Sequence, residues 1–380
     1  LSVTSLTTSV GVLVDNENGT WSLTTTKDFN GNIDLSYSVT DGKGGSIAAT
    51  QSFSFTNTFA EYGQVSINHN WQTIDLDQTY TNAVIIASDP TLKGGDPVAV
   101  RVRNVGTDSF QIRLQEPNYK DRSHTNETIS YLVAEAGDWK LRDGTRISVG
   151  TQTSNKLSSA GFETIGLESG FTRSPVVLTQ TQTFNGSDWV TTRTKAIGTD
   201  SFQVSMQEEE QLNGGGHVQE TIGWIAVDSG ASNDPDGSGL TADVFTQAIK
   251  THTFGSSFDS APTLLTKLST FDGADPANSR IKSVSNTGFS AMVQEEQSKD
   301  SEVAHTTESL AFLAIAGTSG TFEATKYQPS TREIGEYGQI SVNHLWKIID
   351  LTNTYTSPIV ITSDPTIKGG DPTVIRLKNI

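Results

Sequence analysis

The chain has 380 residues, of which 43 are acidic and 26 basic, and its formal net charge is −17. A field of that sign repels phosphate backbones, so the charge argues against a nucleic-acid partner. The sequence has no cysteine, which excludes disulfides and thiolate metal sites, and no run approaches the roughly 18 apolar residues of a membrane span. Short strand-like runs between Gly, Asn, Asp and Ser predict an all-β chain of several domains.

Residues 1–57 alternate apolar and polar side chains at strand period, between turns that begin at Asp15, Asp28 and Asp41. They resemble the cadherin-like tandem repeats of large bacterial surface adhesins and RTX-type proteins. The resemblance implies a stalk domain, here truncated at its start, of a kind often stiffened by calcium. The three aspartates are the predicted calcium ligands. The alternative is that Asp and Asn only fill turns, and both interpretations stay open.

After this domain one motif occurs three times and begins a fourth time. Each copy has a Gly-x-Asp turn, a strand with Arg-x-Arg or Arg-x-Lys, a Phe strand ending in Gln-Glu, and a His-x-x-Glu hairpin. The copies centre on Asp96, Arg101, Gln115, Glu116, His124 and Glu127, on Asp188, Arg193, Gln207, Glu208, His217 and Glu220, and on Asp275, Arg280, Gln294, Glu295, His305 and Glu308. We therefore divide the chain into repeat 1 (58–137), repeat 2 (138–231), repeat 3 (232–330) and a truncated repeat 4 (331–380).

Six short strand candidates per repeat predict a small antiparallel β-sandwich. In repeat 1 they are residues 64–71, 74–76, 83–87, 98–105, 109–115 and 128–136. The turn-rich segment 138–162 is predicted to lead into repeat 2, and 233–239 to be a linker.

The fourth copy matches the first far more closely than the second and third do. Glu336 to Trp346 repeats Glu61 to Trp71, and Ser363 to Pro372 repeats Ser88 to Pro97, at a constant offset of 275 residues (336 − 61). The larger period is thus three repeats. We expect the chain to be part of a longer protein.

Residues 58–380 resemble the H-type lectin fold of snail agglutinins and slime-mould discoidins. The resemblance rests on a Trp-containing first strand, on Ser174-Pro-Val-Val-Leu178, on the Arg-rich strand, on the Thr-Asp-Ser-Phe202 turn and on Ile222-Gly-Trp-Ile-Ala. It implies six-stranded sandwiches that assemble as parallel trimers and bind galactose or N-acetylgalactosamine at subunit edges. The three-repeat period then implies a pseudo-trimer within one chain.

The resemblance assigns sugar contacts to the strand arginine and to the Gln-Glu pair, although the family's Trp-His pair is missing there. Apart from the resemblance, the residue types themselves indicate a ligand. Asp, Glu and Gln acceptors beside a planar arginine could bind vicinal hydroxyls, and the same carboxylates could bind calcium. Trp189 lies in a turn, where it could stack on a sugar ring. The predicted carbohydrate-binding residues are Asp96, Arg101, Gln115, Glu116, Asp188, Trp189, Arg193, Gln207, Glu208, Asp275, Arg280, Gln294 and Glu295.

Each assignment has an alternative. The Arg-x-Arg pattern is also typical of a solvated sheet face. The His-x-x-Glu motif could pair across strands to fix their register, or it could help to seat the repeats against one another. Trp71, Trp224 and Tyr131 are predicted to belong to the core.

No catalytic motif stands out, since the sequence has no Gly-x-Ser-x-Gly, no phosphate loop and no His-Glu-x-x-His. We predict a non-catalytic carbohydrate-binding or adhesive segment of an extracellular or cell-surface protein, with repeats that pack on each other or self-associate. Two alternatives stay open. One is a structural surface or filament protein of calcium-stiffened repeats, and the other is an accessory binding region of a secreted hydrolase.

Overall fold

The computed structural model describes residues 2–25, 31–55, 58–168, 170–232, 240–246 and 249–327. In these ranges the chain is built of β-strands and connecting turns, which confirms the predicted all-β fold. No helix in the described ranges is long and apolar enough to cross a membrane. Repeat 4, the predicted linker 233–239 and Asp28 lie outside the described residues.

The N-terminal domain has a three-stranded and a two-stranded antiparallel sheet. Its strands are β1 (Ser2–Thr8), β2 (Val12–Asp15), β3 (Trp21–Thr24), β4 (Gly31–Thr40) and β5 (Ser46–Phe55). The sheet orders are β1-β4-β5 and β2-β3. The turns after β2 and β4 start at Asp15 and Asp41, as the turn residues predict.

Repeat 1 is a sandwich of two antiparallel sheets, ordered β6-β11-β8 and β7-β10-β9. Its strands are β6 (Thr58–Ile67), β7 (Gln72–Asp75), β8 (Ala83–Ala87), β9 (Ala99–Arg103), β10 (Ser109–Gln115) and β11 (Glu127–Glu135). Along β10, Phe110, Ile112 and Leu114 are buried while Gln111 and Arg113 are half-buried. This two-residue period places every second side chain in the core between the sheets.

Repeat 2 has the same design, with sheets ordered β15-β18-β13-β12 and β14-β17-β16. Its strands are β12 (Gly137–Lys140), β13 (Arg146–Ser154), β14 (Glu163–Gly166), β15 (Val176–Thr181), β16 (Val190–Lys195), β17 (Ser201–Glu208) and β18 (Glu220–Val227). The prediction that 138–162 is turn-rich is correct only in part, because β12 and β13 occupy 12 of its 25 residues (138–140 and 146–154). Asp143, Gly144 and Thr145 before β13 and Gly150 within it are residues typical of turns, and they hid the alternating pattern of this strand.

Repeat 3 follows with sheets ordered β19-β20-β25-β22 and β21-β24-β23. Its strands are β19 (Gly230–Ser232), β20 (Leu240–Thr246), β21 (Ile249–Thr253), β22 (Thr263–Leu268), β23 (Ala277–Ser285), β24 (Gly288–Glu295) and β25 (Ser309–Ile315). Two short strands, β26 (Gly320–Glu323) and β27 (Thr325–Lys326), come after it.

A short strand follows the last long strand of each repeat, which is β11, β18 or β25, and pairs with the first long strand of the next sandwich. After β11, β12 pairs with β13 of repeat 2, and after β18, β19 pairs with β20 of repeat 3. After β25, β26 returns to pair with β6 of repeat 1, for example at Phe322 and Ala60. The three repeats therefore form a closed cycle, which is the arrangement expected of the predicted pseudo-trimer.

A shared apolar core joins the three repeats. It contains Ile86 and Leu132 of repeat 1, Leu178 of repeat 2 and Leu313 of repeat 3. Three further clusters fill the individual sandwiches. One face of such a sheet packs inside its own sandwich, and the other face packs on neighbouring repeats. The sheet is therefore buried on both faces, as the fully buried strands β15 and β22 show.

Candidate functional site

A histidine in each repeat lies against the glycine of the Gly-x-Asp turn. A Cβ atom added to Gly94 would come within 2.7 Å of His124 Nε2, and one added to Gly186 or Gly273 would come equally close to the ring of His217 or His305. Real Cβ atoms do not approach so closely. The glycine therefore recurs because the imidazole ring occupies the space of a side chain.

The same histidine joins two glutamates. His124 donates from Nδ1 to Glu116 at 2.7 Å and from Nε2 to Glu127 at 3.2 Å when both nitrogens are protonated. His217 bridges Glu208 and Glu220, and His305 bridges Glu295 and Glu308 in the same way. Because His124 precedes β11, the His-x-x-Glu spacing does not place its two side chains on opposite faces of a strand.

The glutamate of each His-x-x-Glu motif also accepts hydrogen bonds from the turn that precedes the arginine strand. Glu127 accepts hydrogen bonds from the backbone N–H of Lys93 and Gly94 and from Thr91 Oγ1. Equivalent bonds run from Thr183, Asn185 and Gly186 to Glu220, and from Thr270, Asp272 and Gly273 to Glu308. Sequence reasoning missed the three threonines, although each stands three residues before the motif glycine.

Each group of one histidine and two glutamates also contacts an arginine from the preceding repeat in the cycle, in which repeat 3 precedes repeat 1. Arg280 donates to Glu127 at 2.8 Å, Arg101 to Glu220 at 3.4 Å, and Arg193 to Glu308. All six side chains are fully buried. We call these groups cluster 1 (Glu116, His124, Glu127, Arg280), cluster 2 (Glu208, His217, Glu220, Arg101) and cluster 3 (Glu295, His305, Glu308, Arg193).

The glutamine of the Gln-Glu pair fastens each arginine and reaches the neighbouring turn. Gln115 accepts from Arg101 at 2.7 Å and donates to the carbonyl of Ser187 at 2.7 Å. Gln207 and Gln294 do the same for Arg193 and Arg280. The repeated motif is thus the contact surface between consecutive repeats.

The charges in the clusters set one another's protonation. Burial raises the pKa of Glu220, but hydrogen bonds from His217, Thr183 and the turn N–H groups outweigh it and bring the pKa to about 2. The pKa values of Glu127 and Glu308 fall to about 2 for the same reasons. Burial lowers the pKa of His217, yet its bonds to Glu208 and Glu220 raise it to about 9 overall. At neutral pH the Glu220 carboxylate of cluster 2 therefore lies beside the imidazolium of His217 and the guanidinium of Arg101.

The predicted exposure of the arginines was wrong, because the neighbouring repeat covers the second face of their strand. Arg101, Arg193 and Arg280 have no exposed surface, so no sugar reaches them in this arrangement. Gln115, Glu116, Gln207, Glu208 and Glu295 are buried with them, and Gln294 is half-buried. Carbohydrate binding by these residues stays a prediction without support from their positions.

The aspartates of the Gly-x-Asp turns remain at least partly exposed. Asp96 pairs with Lys120 at 2.7 Å, and Asp188 accepts from Asn118 at 3.2 Å. Their backbone carbonyls accept from Arg280 and Arg101. Asp275 is half-buried in the equivalent turn.

The predicted aromatic roles are partly reversed. Trp189 is only 1% exposed, so it offers no stacking platform. Trp224 lies in the core as predicted, and Tyr131 packs against a core cluster. Trp71 is not a core residue, because it is half-buried beneath the guanidinium groups of two arginines.

Acidic residues that could hold a metal ion occur in repeat 2 and in the N-terminal domain. In repeat 2, Asp188, Glu208 and His217 each bring a ligand atom within 4.8 Å of the others. The imidazole of His217 already donates to two carboxylates and carries its proton at neutral pH, so cluster 2 does not fit a cation. In the N-terminal domain Asp15 accepts from the Glu17 N–H, and Asp41 accepts from the Lys43 and Gly45 N–H groups, as turn-filling residues do.

Comparison with known proteins adds two findings. Residues 1–56 match the family model described as a cadherin-like domain. The chain is 29% identical over 328 residues to halomucin of Haloquadratum walsbyi, an alignment that covers 82% of this chain and 3% of halomucin. The chain thus spans a small fraction of that curated relative. No solved structure matches. The two matches indicate an extracellular, adhesion-type repeat segment, and neither shows an H-type lectin or an enzyme family.

Proposed function

We propose that this chain is a non-catalytic structural segment of a large extracellular surface protein, in which three repeats lock into one rigid block beside a cadherin-like domain. The observation that carries the proposal is the closed cycle of buried arginine–glutamate bonds between repeats. Because the motif residues are buried in contacts between repeats, the motif favours mechanical rigidity over ligand binding. The similarity to halomucin supports the surface setting.

The block should unfold as one unit. In urea, tryptophan fluorescence and far-ultraviolet circular dichroism of the 380-residue chain should report one coincident transition for repeats 1 to 3. Repeat 2 produced alone should be unstable, because Arg193 and Glu220 would lose their partners. Separate transitions for the repeats, together with a stable isolated repeat 2, would contradict the proposal.

A more specific proposal is that the segment mediates adhesion by binding carbohydrate. It rests on the resemblance of the repeats to H-type lectins, which implies galactose or N-acetylgalactosamine as the ligand. A glycan array probed with the 380-residue chain tests it. Specific binding of these sugars would support adhesion by glycan recognition, and a blank array on the folded protein would restrict the segment to a mechanical role.

Calcium binding by the N-terminal domain is a separate proposal, supported by the cadherin-like match alone. Asp15 and Asp41 each use one carboxylate oxygen within their own turns. Thermal melts with calcium and with chelator test the proposal. A melting temperature that falls on chelation, and does so less in Asp41→Asn, would support it, whereas equal melting temperatures would refute it.

A further inference from the structure

Lys267 of repeat 3 and Asp89 of repeat 1 form a buried ion pair. Lys267 Nζ lies 2.7 Å from Asp89 Oδ1, and the two side chains are only 7% and 4% exposed. Lys267 lies on the same face of β22 as Leu265, which belongs to the apolar core shared by the three repeats. An amine and a carboxylate are thus held together beside an apolar core, where the burial of charge is costly.

The backbone on both sides of this pair is fixed across the junction. The Asp89 N–H donates to the carbonyl of Thr266 at 3.2 Å, one residue before the lysine. The Ile281 N–H donates to the carbonyl of Pro90 at 2.9 Å, and the Leu92 N–H donates to the carbonyl of Ile281 at 2.8 Å. The amine and the carboxylate therefore keep their mutual position. Well-oriented groups of this kind can react as though one of them were present at about 10⁵–10⁸ M.

The second oxygen of Asp89 is held by two donors from repeat 3. Ser279 donates to Oδ2 from its backbone N–H at 3.0 Å and from its Oγ at 2.7 Å. Two donors aimed at one oxygen are the arrangement that stabilises the oxyanion of an acyl-transfer intermediate. The other oxygen, Oδ1, accepts from the amine of Lys267. Oδ2 is therefore placed to carry the negative charge of an intermediate, and Oδ1 is placed to leave.

A glutamine of repeat 2 orients the amine. Gln180 Oε1 accepts from Lys267 Nζ at 3.3 Å, while its Nε2 donates to the carbonyl of Val100 in repeat 1 at 2.9 Å. The site thus takes its carboxylate from repeat 1, its orienting amide from repeat 2, and its amine and oxyanion donors from repeat 3. It is complete when the cycle of repeats has closed.

This combination occurs at one junction of the cycle. By the motif spacing, the other repeats carry residues without an amine or a carboxylate at both positions: Thr181 and Leu268 in place of Asp89, and Ser88 and Gln180 in place of Lys267. The polypeptide itself joins repeat 1 to repeat 2 and repeat 2 to repeat 3. Repeat 3 meets repeat 1 through strand pairing and the Arg280–Glu127 bond. The lysine and aspartate therefore lie at the junction that the backbone does not join.

We propose that Asp89 and Lys267 condense to an intramolecular amide, a covalent side-chain bond that ties repeat 1 to repeat 3. A lysine amine is a nucleophile once an apolar environment has removed it from water. The inference rests on the proposed rigid block, because the site exists in the closed cycle, and it adds a covalent closure to that block.

The reaction needs no oxidant, reductant or further reactant. One proton moves from Lys267 Nζ to Asp89 Oδ1, and the neutral amine attacks Cγ. Ser279 stabilises the negative charge that develops on Oδ2. A second proton then passes from Nζ to Oδ1, the Cγ–Oδ1 bond breaks, and Oδ1 leaves as water. The product keeps the new Nζ–Cγ bond, and two buried charges are eliminated.

Mass spectrometry of the intact, denatured 380-residue chain tests the bond. We expect a mass lower than that of the sequence by one water molecule. Trypsin should leave residues 44–93 linked to residues 251–280, because it does not cleave after a lysine whose amine is in an amide. Asp89→Ala and Lys267→Arg should both keep the full mass and yield separate peptides.

Two comparisons distinguish this chemistry from proximity alone. Lys120 Nζ also lies 2.7 Å from a carboxylate oxygen, that of Asp96, but these side chains are 27% and 50% exposed, so the pair should stay unlinked in the same digest. Ser279→Ala removes one donor to Oδ2. It should slow bond formation about 10²–10³-fold, as followed by intact mass at intervals after cell-free synthesis.

Each contrary result has a defined meaning. A wild-type chain that keeps its full mass after prolonged incubation and unfolds in one cooperative transition would overturn the bond and leave the mechanical role intact. A full mass together with separate unfolding transitions would contradict the rigid block as well. A lost water located in other peptides would refute the assignment to Asp89 and Lys267. Linkage of Lys120 would contradict the argument from burial, and an unchanged rate in Ser279→Ala would contradict the role of Ser279.

Discussion

Arg280 of repeat 3 donates a hydrogen bond to Glu127 of repeat 1 across 2.8 Å, and neither side chain has any exposed surface. The two residues are 153 positions apart, so their bond closes the cycle of three repeats. Desolvation offsets much of the attraction within such a buried pair. We infer that its main effect is specificity, because repeats docked in another order would leave a buried charge unpaired.

Removing the arginine should be costly. In Arg280→Met, Glu127 keeps its burial and its charge but loses its cation, so we expect a loss of about 3–5 kcal/mol in the free energy of unfolding. Urea denaturation at pH 7 measures it. Arg122→Asn, at an exposed arginine, is the matched control and should stay within about 0.5 kcal/mol of the wild type.

The double variant Arg280→Met/Glu127→Gln should recover part of the lost stability, because it removes the unpaired charge. A loss below about 1 kcal/mol in the single variant would show that water or another residue compensates Glu127. That result would contradict the view that the arginine–glutamate cycle locks the repeats together.

Two adjacent glycines give a second test. In Gly94→Ala the new Cβ would lie 2.7 Å from His124 Nε2, whereas in Gly95→Ala it would meet nothing within 4 Å. His124 is fastened at both nitrogens, so it cannot move away without losing a bond. We expect Gly94→Ala to lower the free energy of unfolding by about 1–3 kcal/mol and Gly95→Ala to have almost no effect.

Thermal melts of the two variants, run side by side, measure this difference. The comparison is free of the general effect of replacing glycine by alanine, because both sites lie in one turn. Equal melting temperatures for the two variants would mean that the histidine ring does not occupy the space predicted for it.

The sandwich fold could be predicted because its signal is local. Alternation along Ser109–Gln115 gave the bounds of β10 correctly, and the turn glycines separated the strands. The cycle of three repeats could be anticipated from the 275-residue offset. The strands that pass between repeats could not, because Gly137–Lys140 and Gly320–Glu323 are four residues long and carry too few alternating positions to be recognised.

The residues of the repeated motif could be recognised from the sequence, but their burial between repeats could not. Period-2 alternation shows that Arg101 points away from the core of its own sandwich, and solvent is the default for such a charge. Only the tertiary structure shows that repeat 2 covers this face. The recurrence of His124 with Glu116 and Glu127 was a signal for contact between repeats, since a ligand site does not have to appear at every junction.

The histidines predict how stability depends on pH. Hydrogen bonds to glutamates raise the pKa of His217 to about 9 and raise that of His305, against an unfolded value of about 6.5. A group whose pKa is raised by folding stabilises the protein fully below its unfolded pKa, and this contribution is lost as the pH rises through the folded value. Stability should therefore fall between about pH 6.5 and pH 9, by at most about 1.4 kcal/mol per pH unit for each histidine.

The buried glutamates predict how stability changes at acidic pH. Glu127, Glu220 and Glu308 have folded pKa values of about 2, so their contribution is present above the unfolded value of about 4.5 and is lost as the pH falls toward 2. Urea denaturation from pH 3 to pH 10 should give a maximum between about pH 4.5 and pH 6.5. A flat profile from pH 6.5 to pH 9, or the same alkaline loss in His217→Gln, would be incompatible with this assignment.

Strand β26, which pairs with repeat 1, allows the cycle of repeats to be tested without changing a charged residue. Phe322 on β26 is 4% exposed and packs on Tyr62 and Phe59 of repeat 1, with ring centroids 5.2 and 6.3 Å apart. Phe322→Ala removes this contact and leaves a cavity, so we expect a loss of about 3–5 kcal/mol. Val303→Ala, at a side chain that is 73% exposed, is the control and should change little.

Hydrogen exchange can locate the effect of Phe322→Ala. If β26 closes the cycle, the amides of β6 that pair with it, around Ala60 and Tyr62, should exchange much faster in the variant than in the wild type. Amides in β16 and β17 of repeat 2, which do not contact β26, should keep their protection in mild conditions. Uniform loss of protection would mean that Phe322 supports the fold as a whole, and no change in β6 would mean that β26 is not what holds repeat 3 to repeat 1.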